Sequence, residues 1–280
     1  MYESILRKDL NELRVQILGW GFGVGALIFL TVVIYPSIST SYELIMKQLP
    51  EGLKTFLDLE HSLTTLEGYM NTEIFSYVPL VLAIFAIIAG TASIVGEEQS
   101  GTLEILIAQP LSRVRLMVTK LIGLLLVNGL IIGILSVMLW IAILVIDVDV
   151  SVNRVMLALL LLWPFLTFMS FLSVFLSMLV SSRIIAGSII AGLLVLSYVL
   201  DSLSNLVSGL ELIRPIYLTT YYQGNNALVS EVSFIYVLGL MGLLSGTFLL
   251  SMWLFFRRDI PTHGSSHINL RQILVGGWRM

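Results

Sequence analysis

Gly96–Lys120 reads GEEQSGTLEILIAQPLSRVRLMVTK. Apolar runs flank it, Ile74–Val95 before and Leu116–Ile146 after. The flanks suit lipid, whereas this segment suits a partner in water. Glu97 and Glu98 end the first run, and Gly101 breaks the chain. Thr102–Ala108 reads as a short helix, mostly apolar with one acid. Pro110 stops it, because proline has no N–H to donate and disfavours helix in the residue before it. Ser112 is placed to cap the next helix by accepting from its free N–H groups. Arg113, Arg115 and Lys120 stand at the start of that helix.

The whole chain explains why lipid is the reference solvent. Of its 280 residues, 57% are hydrophobic and 12% charged, with a mean hydropathy of +0.97. An ordinary soluble domain is nearer 45–50% apolar and about 25% charged. The excess is gathered into runs that reach the roughly 20 residues a membrane-spanning helix needs. The expected class is an all-α polytopic membrane protein. A membrane β-barrel would alternate polar and apolar residues over segments of about 10, and runs such as Leu121–Leu126 and Leu157–Leu162 do not. With no cysteine, a disulfide framework, a cysteine zinc site and a thiol nucleophile are excluded.

Six spans are expected, at about 15–35, 74–95, 114–146, 155–180, 184–200 and 232–256, in one transmembrane domain covering 1–280. Longer non-membrane segments fall at 36–73 and 201–231. Met1–Arg14 reads as a helix on the membrane surface with Ile5, Leu6, Leu10 and Leu13 towards lipid. The first apolar run is too long for a signal peptide core and has no small-residue cleavage site after it. Its Gly19, Gly21, Gly23 and Gly25 form two overlapping small-xxx-small pairs, suited to packing within the chain or to a subunit contact. The 36–73 segment is acidic and reads as a solvated surface, or as a recognition surface for a cationic substrate. Pro79 either kinks the second span or marks its first turn. Thr167, Ser170, Ser173 and Ser177 share one helix face, which packs against a neighbour or lines a path. Asn128 is expected to satisfy a neighbouring helix. Tyr217, Tyr221 and Tyr222 fit an interfacial aromatic belt.

Six spans put both termini on one side. That side carries Arg7, Lys8, Arg14, Arg113, Arg115, Lys120, Arg183, Arg257, Arg258, Arg271 and Arg279, and the other carries Lys47, Lys54, Arg154 and Arg214. The division is 11 against 4 of the 15 basic residues. Positively charged loops stay in the cytoplasm, so both termini and the Gly96–Lys120 segment are expected there.

No G-x-x-x-x-G-K-[ST] phosphate loop is present, so the chain is not expected to hydrolyse ATP by itself. His61, His263 and His267 do not form a convincing metal site, and no Ser/His/Asp constellation has a defensible context. Almost no charge lies inside the spans. That argues against an ion-coupled carrier, which places ionisable groups within the membrane.

The order acidic pair, GTLE, short apolar helix, Pro, Ser-Arg, long apolar span resembles the permease subunits of ABC-2-type transporters. Their segment after the second span reads like E-x-x-x-GTLE-x-LL-x-x-P-x-SR. Glu97, Gly101, Thr102, Leu103, Glu104, Leu106, Pro110, Ser112 and Arg113 match it. The resemblance implies a permease of an ATP-driven exporter, itself not an enzyme and without a cofactor. ATP would be bound by separate ATP-binding subunits, and a second copy of the chain or a similar permease would complete the path. It implies a multi-pass protein of the cell membrane, in a bacterial or archaeal inner membrane, with no nucleic-acid partner. The short helix would be the coupling helix. Leu103, Ile105, Leu106 and Ile107 would anchor it in a groove of the ATPase, and Glu97, Glu98, Glu104, Arg113 and Arg115 would set its register. The cargo expected is a small hydrophobic or amphipathic compound. An ATPase-independent scaffold or sensor component and a secondary carrier are the alternatives.

Overall fold

The computed structural model of the protein describes residues 2–48, 50, 52–53, 65–103, 112–146, 148, 150–204, 206–207 and 209–258. It is helical, and no strand occurs among the described residues. Seven helical elements organise it: α1 (Tyr2–Gln48), α2 (Leu66–Gln99), α3 (Arg113–Ile146), α4 (Val152–Val180), α5 (Arg183–Ser204), the short α6 (Gly224–Val229) and α7 (Phe234–Arg257). All but α6 are long and apolar enough to cross a membrane. The six-span expectation holds, with shifted limits.

The largest shift is at the N-terminus. The expected surface helix and the 15–35 span are one continuous helix, which runs on through Pro36. Ile5 is buried, and Leu10 and Leu13 pack against the protein core and do not face lipid. A single amphipathic stripe therefore serves two environments: polar neighbours low on α1 and helix packing higher up. The glycines of that stripe divide by face. A Cβ on Gly21 would lie 2.7 Å from Ile134 Cδ1, and one on Gly25 would lie 2.9 Å from Met138 Cγ, whereas Gly19 and Gly23 meet nothing within 4 Å. Gly21 and Gly25 thus let α1 approach α3 within the same chain.

The 36–73 segment is also shorter than expected, because α2 begins at Leu66. Thr65 caps it, its hydroxyl accepting from the Gly68 N–H at 3.2 Å. Residues 71–75 widen into a π turn, with the Ser76 N–H donating to Asn71 O. Pro79 then sits in the first turn of the regular helix Val78–Thr91, where its missing N–H costs least. The far end is tied down by Tyr69, which stacks on Tyr35 at 5.0 Å and donates to Thr31 O. Glu67 accepts there from the Ser151 N–H at 2.9 Å, so that acid caps α4 and is not part of a free acidic surface.

Helix α4 is the packing centre. Thr167, Ser170, Ser173 and Ser177 are all buried. Thr167, Ser173 and Ser177 donate to carbonyls of their own helix, and Ser170 Oγ accepts from Asn128 Nδ2 at 3.1 Å. The hydroxyl stripe therefore packs, and Asn128 finds its partner helix. Gly90 of α2 makes the closest approach, since a Cβ there would lie 2.4 Å from Ser170 O and 2.8 Å from Ser173 Cβ.

The segment after α5 differs from the aromatic-belt expectation. Arg214 donates to Asp201 at 3.0 Å, and two short 3-10 turns lead into α6. Tyr217 and Tyr222 are buried, Tyr222 against Phe165 of α4 with ring centroids 5.7 Å apart. Burial pushes the Tyr222 phenol well above its ordinary pKa, so it remains neutral. These rings anchor a plug on the far end of the bundle, with Leu228 of α6 fully buried.

Candidate functional site

The described parts of the Gly96–Lys120 segment, 96–103 and 112–120, begin at the end of the bundle where α1 begins and α7 stops. Helix α2 reaches it through a second π turn, Ala92–Gly96, directly before Glu97. Such turns are frequent at functional sites. Glu97 and Glu98 are neighbours about 100° apart on a helix, and each bonds to a different half of the bundle.

Glu97 turns towards α1 and α3. Its Oε1 accepts from Lys120 Nζ at 2.7 Å and from Lys8 Nζ at 3.0 Å, and Lys120 also donates to Asp9 Oδ1 at 2.7 Å. Lys120 is 4% exposed, and Asp9 and Glu97 are also buried. Glu12 closes the cluster on the solvent side at 3.5 Å from Lys8. Asp9, Glu12 and Glu97 are near enough to share a metal ion, but the Lys120 ammonium stands between two of them and supplies the cation. Glu97 Oε2 has no hydrogen-bond partner among the described residues, and Glu97 also lines a cavity of about 90 Å³ with Ser93, Lys120 and Gly123.

Glu98 turns the other way. Arg258, just past α7, donates from Nη2 to Glu98 Oε1 at 3.1 Å and to Ser181 Oγ at 3.0 Å. Arg113 Nη1 in turn donates to Arg258 O at 3.3 Å. Ser181 takes a left-handed backbone, φ 54°, to turn α4 into α5. Two adjacent acids thus connect the ends of α1, α2, α3, α4 and α7.

The other expected coupling residues that are described lie at the two edges of this lattice. Gly101 takes φ 74°, the left-handed conformation in which glycine is cheap. Thr102 donates to Glu97 O at 3.3 Å and pairs with Ser100 at 2.9 Å. Leu103 is buried within the chain. Glu104, Ile105, Leu106, Ile107 and Pro110 lie outside the described residues. Ser112 caps α3 as expected, its Oγ accepting from the Arg115 N–H at 3.3 Å. Glu97 and Leu103 thus face inward in the chain by itself, and Glu98 is paired with Arg258. Both acids fasten the start of the loop to the bundle. Asp9 and Lys120 were not recognised as partners. The available signal was one acid, Asp9, among the mixed charges at the start of α1, and one lysine, Lys120, about two turns into the apolar α3.

Six membrane-length helices, with buried ion pairs where the second leaves the bundle, define a polytopic membrane protein. The family profile described as ABC-2 family transporter protein matches residues 4–260. The chain belongs to that family and is a membrane permease of an ABC system, a class that works generally with ABC ATP-binding subunits. A comparison with curated proteins found no match.

Proposed function

We propose that this chain is an export permease whose 96–112 loop is moved by a separate cytoplasmic ATP-binding subunit, in a bacterial or archaeal inner membrane. Both termini and the loop would be cytoplasmic, and a second copy or a similar permease would complete the path. The cargo would be a small hydrophobic or amphipathic compound. ATP would be bound only by the partner subunit. One observation carries the reading: Glu97 and Glu98, at the entry to the loop, bond to opposite halves of the bundle. A loop fastened in this way passes a displacement directly to five helix ends. A loop that only held topology would have no need of buried charges.

Purification from native membranes in mild detergent tests it. A soluble protein bearing a Walker A motif is expected to co-purify with the chain and to be lost with Leu106→Asp, which puts a charge where the docking groove needs an apolar anchor. Full recovery of that protein with Leu106→Asp would contradict the docking assignment.

The buried Asp9–Lys120–Glu97 cluster favours one second reading. Buried ionisable groups between helices are also what an ion-coupled carrier uses as a relay. Transport that continues without ATP and collapses with the ion gradient would select that reading.

A further inference from the structure

The second π turn of α2, Ala92–Gly96, ends directly against Glu97. A π turn carries one residue more than an α turn. If that residue passed into regular α-helix, every side chain beyond it would advance by one place. Each would turn by about 100° and move by about 1.5 Å along the axis. The part of α2 before the turn is held in place. Gly90 lies hard against the Ser170 backbone, and Phe85 and Ala86 are fully buried. The part left to move is the stretch from Glu97 onward.

In such a step each side chain takes the place its successor holds now. Glu97 would leave Lys120 and Lys8 and come to Arg258, where Glu98 now accepts at 3.1 Å. Glu98 would come to the place of Gln99, which borders the same groove between α2 and α5 as Arg183. Arg183 is close to this stretch, since a Cβ on Gly96 would lie 3.3 Å from its Nη1. It has no hydrogen bond or ion pair among the described residues in the present register. The lysines left behind keep partners: Lys120 has Asp9 at 2.7 Å, and Lys8 has Glu12 at 3.5 Å. An acid stranded without a cation would forbid the step, and neither register strands one. The second register also pairs the arginine that the first leaves alone.

We propose that the 92–96 π turn is a one-residue ratchet, with a second register in which Glu97 pairs with Arg258 and Glu98 with Arg183. Packed elements change in discrete steps of this kind. Passing into the second register turns the start of the 96–112 loop and moves it away from Gly90, while the bundle behind it stays still. That an ATP-binding subunit drives the step rests on the export reading; the two registers do not.

The test uses the full-length chain in nanodiscs, without ATP and without a partner. Arg258→Lys supplies an amine, and a carbodiimide joins an amine to a carboxylate only where the two touch. The links are permanent, so even a thinly populated register accumulates. Tandem mass spectrometry separates Glu97 from Glu98, and links from position 258 to both acids are expected. Deleting Ser93 removes the extra residue and leaves both acids in their present places. It should keep the link from 258 to Glu98 and abolish the one to Glu97. The link between Glu97 and Lys8 belongs to the present register and reports that the deletion variant has folded. Where that link is lost, Arg183→Gln decides, because it keeps the chain length. It removes the partner of Glu98 in the second register and should lower the 258-to-Glu97 yield about tenfold, the loss expected with one charge-assisted hydrogen bond. Glu98 as the only acid joined to 258 would overturn the proposal. So would a link from 258 to Glu97 that survives either change undiminished. The coupling assignment is judged separately, by what co-purifies with the chain.

Discussion

Lys120→Met should destabilise the protein by about 3–5 kcal/mol, the usual consequence of removing one partner from a buried ion pair. The Lys120 ammonium donates to Asp9 and Glu97 at 2.7 Å each, from a side chain only 4% exposed. Methionine replaces its volume and leaves two buried carboxylates facing each other. Lys8 at 3.0 Å from Glu97 compensates only in part, because its own side chain is 35% exposed. A large fall in the melting temperature of the detergent-solubilised chain is the expected reading. Asp9→Asn in the Lys120→Met background should recover part of the loss, since one unpaired charge disappears. An unchanged melting temperature for Lys120→Met would mean that the cluster does not hold α1, α2 and α3 together.

Gly90→Val acts on a different element with a comparable expected effect. The new Cβ would lie 2.4 Å from the Ser170 carbonyl oxygen, an atom of backbone that no rotamer change can move. Helices α2 and α4 must separate, and overpacking of this kind costs about 1–3 kcal/mol or more. The separation also strains the Asn128–Ser170 hydrogen bond at 3.1 Å, on the same face of α4. Gly192→Val in α5 is the matched control, because a Cβ there meets nothing within 4 Å. Thermal unfolding of the two variants should therefore diverge, with Gly90→Val lowered and Gly192→Val near the parent. Equal behaviour would contradict the close α2–α4 contact.

The number and order of the spans were legible because a bilayer demands long apolar runs and the chain has six of them. Helix limits were less legible. Hydropathy marks where lipid ends, whereas hydrogen bonding marks where a helix ends, and α1 continues 13 residues before its expected start at residue 15. The same gap hid the start of α2, where Thr65 caps a turn too polar to count as membrane. The family was legible from the Glu97–Arg113 motif, which resembles that of its permeases. The direction in which Glu97 points was not, because its partners lie 89 and 23 positions away in the chain. Tyr217 and Tyr222 were read from their type as interfacial, but the packing of α6 on α4 puts them inside. Sequence spacing also could not choose between Gly21 and Gly23, which only the position of Ile134 separates.

The central claim is that the 96–112 loop is where an ATP-binding subunit grips this permease. The chain has no cysteine, so a single one can be introduced at Leu106 and labelled with a thiol-reactive photocross-linker in native membranes. A second chain labelled at Val207, exposed at the far end of the bundle, serves as the comparison. The account predicts a covalent adduct between the Leu106 label and a protein carrying a Walker A motif, with none from Val207. Adducts from Leu106 with lipid alone, or with a protein that binds no nucleotide, would contradict it.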